Sequence, residues 1–272
     1  MKKMTLAEIQ SESLRILKDV HSFCEKNQIH YSLAYGSLIG AIRHKGFIPW
    51  DDDVDIVMPR PDFDRFCDEF ISKDENVLYR SDAEQNYLMF ARVCSDKRTK
   101  AISKRPWCGV DTGVWIDIFP LDGVNPSEVN FIKEIKYLKA LGRKEMRLRT
   151  GKMLRLNKSL TIKEMAACVL KKIMYFPYDL KRVKAEHERF LRRFDYESSE
   201  YCGQLCVMDY PEKEYNPKSW FSSFKKIPFE DSEFFVMNGW HQFLEHYYGN
   251  YMEMPPENQR VPQQSYINFF WK

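Results

Sequence analysis

The 272-residue sequence contains no run of about eighteen apolar residues, the minimum length of a membrane-spanning helix. No apolar signal segment follows the charged start, so we expect a protein that is neither secreted nor membrane-spanning. Its seven cysteines form no Cys-x-x-Cys pair, and no histidine cluster accompanies them, which argues against a structural zinc site. Repeats and low-complexity segments are also missing. These absences favour an ordinary globular protein with free thiols in the reducing cytoplasm.

Positive charge is concentrated in one segment. The net charge is only +3, but residues 133–193 contain 19 Lys or Arg against 6 Asp or Glu, an excess of 13. The segment is therefore expected to meet an anionic partner, either a membrane surface or a nucleic acid. Its basic residues lack interleaved stacking aromatics, and the isoelectric point is only about 8.3, so we expect no nucleic acid. A nucleic-acid-binding protein is the alternative from a different class.

Within this segment, residues 160–178 combine apolar side chains with three lysines. They are too short and too charged to span a bilayer, but they could lie in its interface, on the inner face of the cell membrane. The alternative is that the apolar side chains pack against the rest of the protein. The apolar residues concerned are Met165, Val169, Leu170, Ile173 and Phe176.

The order of apolar and breaking residues predicts an α+β fold with a small mixed sheet. Helices are expected at residues 5–27, 37–43 and 62–71, and strands at 30–34, 54–58, 88–94 and 114–119. Thr5 and Glu8 predict a capping box for the first helix, and Pro120 is expected to close the last strand. Residues 127–195 should be mostly helical, with breaks near Gly151 and Pro177. We divide the chain into a catalytic domain, 1–125, and a helical and aromatic portion, 126–272.

An acidic pattern marks the candidate site. In Asp53-Val54-Asp55-Ile56, alternate residues of a strand share a face, so the two carboxylates point one way and the two apolar side chains point into the core. Two adjacent carboxylates repel each other unless a cation lies between them, and hard divalent ions take oxygen ligands. A solvated turn would also explain residues 51–53 without any chemistry.

Further polar residues could bind phosphate. Gly36 and Ser37 lie where a strand runs into a helix, and the free N–H groups of a helix start attract phosphate. Arg43, His44 and Lys45 follow within two turns and could supply further phosphate contacts.

A third carboxylate, Asp117, stands between apolar neighbours in Trp115-Ile116-Asp117-Ile118-Phe119. A buried carboxylate is costly unless it is paired or bound to a metal. Three such acids suit a phosphoryl-type transfer, with Asp53 and Asp55 as metal ligands and Asp117 binding metal or accepting the proton of the acceptor.

These motifs resemble those of the LicD family of phosphocholine transferases, whose eukaryotic relatives include fukutin. The resemblance covers nearly the whole chain and is carried by G-S-L-I-G-A-I-R-H-K-G-F-I-P-W-D-D-D-V-D-I from Gly36 to Ile56, by I-D-I-F-P-L-D from Ile116 to Asp122, and by Y-G-N-Y-M from Tyr248 to Met252 with Pro255-Pro256. It implies a nucleotidyltransferase fold and Mg²⁺ or Mn²⁺ held by Asp53, Asp55 and Asp117.

The resemblance also implies the reaction, in which CDP-choline donates phosphocholine to a hydroxyl of a cell-surface glycan precursor, expected to be lipid-linked, and CMP is released. Other relatives use the CDP derivatives of ribitol or glycerol phosphate, so the alcohol stays open, and nucleotidyl transfer by the same site is a further alternative. Choline would need an aromatic cage. Candidates for such a cage are Trp107, Trp115, Tyr210, Trp220, Trp240, Tyr247 and Tyr248.

Overall fold

The structure, a computed structural model, describes residues 1–80, 88–104, 112–126, 131–153, 161–175, 179–207, 213–262, 264 and 266–272. Helices pack around a mixed sheet within these ranges, which confirms the α+β class. No helix of the described chain is long and apolar enough to cross a membrane.

The first helix, α1 (Leu6–Asn27), begins where the sequence predicts. The hydroxyl of Thr5 accepts a hydrogen bond from the backbone N–H of Glu8, and the Glu8 carboxylate accepts one from the backbone N–H of Thr5. The capping box is thereby confirmed, and it satisfies two N–H groups that the helix itself leaves unpaired. The helix ends at Gln28, which adopts the left-handed conformation. Its buried face, which includes Ile16 and Leu17, covers the central sheet.

The central sheet has the order β1-β2-β6-β4-β3. Its strands are β1 (Ser32–Leu33), β2 (Asp55–Pro59), β3 (Val77–Tyr79), β4 (Ala91–Cys94) and β6 (Trp115–Val124). Strands β2 and β6 run parallel, and the other neighbours along this path are antiparallel. All ten residues of β6 and four of the five in β2 are buried, as is usual for parallel strands.

Strand β6 is longer than predicted, because it passes through Pro120 and ends only at Val124. The expectation that Pro120 closes the strand is wrong. Proline lacks an N–H group, so it is tolerated where one side of a strand has no ladder partner. On one side of β6 the pairing with β4 ends at Ile118, and the pairing with the next neighbour begins only at Asp122.

Strands from the second half of the chain extend this framework. They are β7 (Tyr201–Gly203), β8 (Asn216–Pro217), the hairpin of β9 (Phe224–Phe229) and β10 (Ser232–Met237), and β11 (Ile267–Trp271). Strand β7 pairs with the end of β6, and β8 pairs with β7. Strand β11 pairs with β5 (Thr99–Ser103). Segments on both sides of the predicted boundary at residue 125 therefore share sheets.

The remaining helices are α2 (Tyr35–Ile39), α3 (Arg60–Glu69), α4 (Phe131–Met153), α5 (Ile162–Tyr175), α6 (Leu180–Leu191) and α7 (Trp240–Tyr248). One π-helical turn, Gly40–His44, and two 3₁₀ turns, Lys218–Phe221 and Glu257–Gln259, complete the helical segments of the described chain. Helices α4, α5 and α6 confirm that the described part of residues 127–195 is mostly helical, whereas Pro177 and residues 154–160 lie outside the described residues.

A buried ion pair fixes α3 to the sheet. The Arg60 guanidinium donates two hydrogen bonds to the Asp122 carboxylate, with N–O distances of 2.7 Å and 2.8 Å. Both side chains are buried, so the bidentate geometry is needed to offset the cost of removing two charges from water. Asp122, the last residue of the sequence motif that begins at Ile116, thus has a structural partner.

Candidate active site

The acidic segment before β2 forms a compact group of oxygen atoms. Carboxylate oxygens of Asp51, Asp52 and Asp53 lie within 4.8 Å of one another. Asp51 and Asp52 are only 7% and 6% exposed, which excludes the alternative of a solvated turn. The backbone N–H of Gln264 donates to the Asp52 carboxylate at 3.2 Å, and the side chain of Gln10 donates to the backbone carbonyl of Asp51 at 2.8 Å.

Asp55 and Asp117 lie beside this group on the two parallel strands. They are register partners in the β2–β6 ladder, so their Cα atoms are direct neighbours. Val54 and Ile56 are fully buried, as the alternation predicts. The structure therefore brings together the three carboxylates expected from the sequence, and it adds Asp51 and Asp52 to them.

Arg92 on β4 holds Asp117 in place. Its Nε and Nη2 atoms donate to the two carboxylate oxygens at 2.5 Å and 3.2 Å, and its guanidinium group lies 4.4 Å from the ring centroid of Trp115. Sequence reasoning missed this residue. The signal for it lies in the β4–β6 register, which places Arg92 opposite Asp117.

Burial and mutual repulsion dominate the electrostatics of the cluster. Desolvation, followed by the charges of Asp55 and Asp51, raises the pKa of Asp53 well above its usual range. Desolvation and the charge of Asp117 do the same to the pKa of Asp55, while Arg92 opposes the shift. Burial raises the pKa of Asp51 to about 6. The cluster therefore holds more negative charge than its surroundings stabilise.

A divalent cation fits this donor set. The ligand atoms are carboxylate oxygens, which Mg²⁺ and Mn²⁺ prefer, and those of Asp51, Asp52 and Asp53 are already close together. A bound cation would also remove the repulsion that raises the pKa values of Asp53 and Asp55.

The turn from β1 into α2 lies directly against the carboxylates. A Cβ atom on Gly36 would stand 2.8 Å from an Asp51 carboxylate oxygen, so no larger residue fits there without displacing that side chain. Ser37 is buried, and its Oγ accepts a hydrogen bond from the backbone N–H of Asp55 at 2.9 Å. Tyr35 has a φ of 49°, which is uncommon for a bulky residue, and its ring packs against Phe119.

The three basic residues predicted to bind phosphate lie at the end of the π-helical turn. Arg43 donates to the backbone carbonyls of Tyr251 and Glu253 at 2.8 Å and 3.0 Å, and its Nε donates to His44. The backbone carbonyl of Lys45 accepts from the N–H of Glu230. Arg43 therefore anchors the segment after α7, and phosphate binding by these residues stays a prediction.

Aromatic side chains border the site on α7. Desolvation of the phenol, with the charges of Asp55 and Asp51, raises the pKa of Tyr248, although 45% of the residue is exposed. Tyr247 is buried, and its ring packs against Tyr35. Glu214, which the sequence analysis missed, is buried nearby, and desolvation raises its pKa to about 8.

The other aromatic candidates lie elsewhere or outside the described residues. Trp115 is buried in the core against Phe269 and Arg92. Trp220 and Trp240 contact His246 and His241, respectively. Trp107 and Tyr210 lie outside the described residues.

Comparison with known proteins identifies relatives of this chain. Residues 28–140 match the LicD/FKTN/FKRP nucleotidyltransferase domain. The lipopolysaccharide cholinephosphotransferase LicD of Haemophilus influenzae is 35% identical over 276 residues, which cover 98% of this chain and 100% of that protein. Uncharacterised proteins of Rickettsia typhi and Rickettsia prowazekii are each 33% identical over 97 residues, or 35% of this chain and 31% and 36% of their own lengths. On the full-length similarity, the carboxylate-bearing strands and the matched domain, the chain belongs to the LicD family.

Proposed function

We propose that the protein transfers phosphocholine from CDP-choline to a hydroxyl group of a cell-surface glycan precursor and releases CMP. The observation that carries the proposal is the group of buried carboxylates on and before β2 and β6. The full-length similarity to a lipopolysaccharide cholinephosphotransferase supports choline as the alcohol and a glycan as the acceptor. A lipid-linked precursor would place the reaction at the inner face of the cell membrane.

The reaction breaks a phosphoanhydride bond in CDP-choline and forms a new phosphate ester with the acceptor hydroxyl. The acceptor hydroxyl oxygen attacks the phosphorus atom that carries choline, the bond from that phosphorus to the bridging oxygen of CMP breaks, and CMP leaves with the bond electrons. The proton of the hydroxyl is lost in the same exchange. Because little covalent chemistry falls to the protein, it acts mainly by orienting the two substrates and stabilising charge.

Mg²⁺ or Mn²⁺, held by Asp53, Asp55 and their neighbours, would neutralise charge on the donor pyrophosphate and on departing CMP. The carboxylates themselves need fixed positions for this task. Ser37 fastens the first residue of β2 to the α2 turn, and the β2–β6 register fixes Asp55 beside Asp117. Gly36 lets the Asp51 carboxylate lie directly against the α2 turn, because a Cβ there would stand 2.8 Å from a carboxylate oxygen.

Asp117 would orient the acceptor hydroxyl and accept its proton. Arg92 binds both of its carboxylate oxygens and thereby fixes the direction of the side chain. Since Arg92 also compensates the charge of Asp117, that carboxylate is less available to a cation than Asp53 is. This difference supports the proposal that Asp53 acts on the donor and Asp117 on the acceptor.

The test is an incubation of the full chain with CDP-choline, CDP-ribitol, CDP-glycerol and CTP in turn, with Mg²⁺ and a lipooligosaccharide acceptor. We expect CMP release with CDP-choline, together with a mass increase of one phosphocholine on the acceptor. CMP release with another donor would mean that a different alcohol phosphate is transferred by the same class of reaction. Release of pyrophosphate from a nucleoside triphosphate, with a nucleotide left on the acceptor, would refute phosphoalcohol transfer.

A further inference from the structure

Helix α5 exposes apolar side chains that ordinary packing would bury. Ile162, Leu170 and Ile173 are 81%, 60% and 65% exposed, and Met165 and Val169 are exposed as well. The main contact of α5 among the described elements is with α4. The alternative that this helix packs its apolar residues against the rest of the protein is therefore wrong for Met165, Val169, Leu170 and Ile173, and Phe176 lies outside the described residues.

The large exposed apolar side chains lie on one face of the helix. Ile162, Met165, Val169 and Ile173 are spaced by three, four and four positions, which places them on one stripe of an α-helix. Leu170 stands three positions before Ile173 and widens the stripe. Scattered exposed apolar residues are normal, but a contiguous stripe marks a surface that another apolar phase or molecule covers.

Exposed positive charge is concentrated on α5 and on the two helices that flank it in the chain. Lys163 on α5 is exposed, as are Lys136 and Arg143 on α4 and Arg182 and Arg189 on α6. Arg182 and Arg189 also line an open groove between α4 and α6. The segment that contains the three helices has an excess of 13 positive charges. Whatever binds the α5 stripe should therefore have an apolar interior and an anionic surface.

We propose that α5 docks the protein onto an anionic lipid bilayer, with its apolar stripe inserted at the level of the headgroups. The helix has 14 residues, about 21 Å at 1.5 Å per residue, which is too short to span the hydrocarbon layer but suits a helix lying in the interface. Basic residues nearby add attraction to anionic headgroups, which salt screens. The inference rests on exposure and charge, and it stands independently of the reaction proposed above.

A second copy of the chain is a poorer cover for the stripe. Joining two α5 helices would bring two strongly basic segments together, and like charges facing each other oppose association. An anionic bilayer has the opposite charge and an apolar interior, so it matches both properties of the surface.

The experiment is sedimentation of the full chain with lipid vesicles at low and high salt. One set of vesicles is pure phosphatidylcholine, and the other contains phosphatidylglycerol as an anionic lipid. The test variant is Leu170→Ser with Ile173→Ser. The matched control is Ile71→Ser with Val261→Ser, which removes two equally exposed apolar side chains outside the basic segment.

We expect binding to the anionic vesicles, weakening at high salt. The α5 variant should bind less tightly by about tenfold per side chain, and the control variant should bind like wild type. Both variants should unfold at the wild-type temperature and release CMP from CDP-choline with a water-soluble acceptor, because the changed side chains are exposed. This last measurement separates failure of docking from failure of the proposed function.

Several outcomes would overturn the proposal. One is the absence of binding to anionic vesicles at low salt, and another is equal binding by the α5 variant and wild type. A dimer in sedimentation velocity that the α5 variant abolishes would show that a second copy covers the stripe. Salt-sensitive RNA binding without vesicle binding would show that the basic segment binds nucleic acid and not a bilayer.

Discussion

Replacing Asp51 by asparagine should stabilise the metal-free protein near neutral pH. Burial raises the pKa of Asp51 from 3.8 to about 6, so the folded state favours the protonated form. A folded-state pKa above the unfolded one means that the free energy of unfolding falls as the pH rises from 3.8 through about 6 and stays low above that. A shift of roughly two units corresponds to about 3 kcal/mol.

Asparagine removes this cost because it has the same shape and no charge. The variant should therefore gain up to about 3 kcal/mol at neutral pH, which corresponds to a rise in Tm of up to about 6 °C in a protein of this size. The coupling of Asp51 to Asp53 makes this value an upper bound. At a pH below 3.8, where Asp51 is protonated in the folded and the unfolded state, wild type and the variant should have the same Tm.

The assay is calorimetric unfolding with a chelator, over a pH series, for wild type, Asp51→Asn and a control. Asp231→Asn serves as the control, since its carboxylate is exposed and pairs with Lys18 on the surface. Saturating Mg²⁺ should then stabilise wild type, by about 2.7 kcal/mol at a hundredfold excess over Kd, and the Asp51 variant by less. The reasoning is refuted if the chelated variant melts with wild type at neutral pH and Mg²⁺ raises both melting temperatures equally.

Three further predictions concern catalysis and stability. Asp53→Asn and Asp55→Asn should each abolish CMP release while the metal-free fold stays at least as stable, and near-normal release by either variant would contradict the metal assignment. Asp117→Asn should lower kcat severely yet weaken CDP-choline binding less than Asp53→Asn does, and titration calorimetry showing equal losses would make Asp117 a plain metal ligand. Asp122→Ala should lower the free energy of unfolding by about 3–5 kcal/mol in urea, because it removes the bidentate partner of the buried Arg60. Arg60 would keep only the longer contacts with Asp64 and Glu188, both at 3.7 Å, and a loss under about 1 kcal/mol would disprove the role of Asp122.

Features set by neighbouring residues could be predicted from the sequence. The capping box at Thr5 and Glu8 involves residues three positions apart, and the alternation of Asp53, Val54 and Asp55 needs only an extended backbone. The start of the first helix and the position of the carboxylates could therefore be predicted from the sequence.

Features set by distant residues could not be predicted. Arg92 meets Asp117 only because β4 and β6 pair in one register, and Asp52 is buried under Gln264, far along the chain. The Pro120 prediction failed because the change of partner along β6 depends on β7. The exposure of the apolar side chains of α5 could not be predicted for another reason. Helices that pack inward and helices that bind a membrane have the same periodicity of apolar residues.

The pairing of β5 with β11 also bears on how the protein is made. The ribosome releases β5 long before β11, and the backbone N–H that caps Asp52 belongs to Gln264, just ahead of β11. A nascent chain therefore carries its acidic cluster with one hydrogen bond missing until residue 264 has left the ribosome, and β5 lacks its partner strand until residues 267–271 have followed. A premature stop codon shortly before this point would leave every predicted catalytic residue in place and still yield an incompletely assembled active centre.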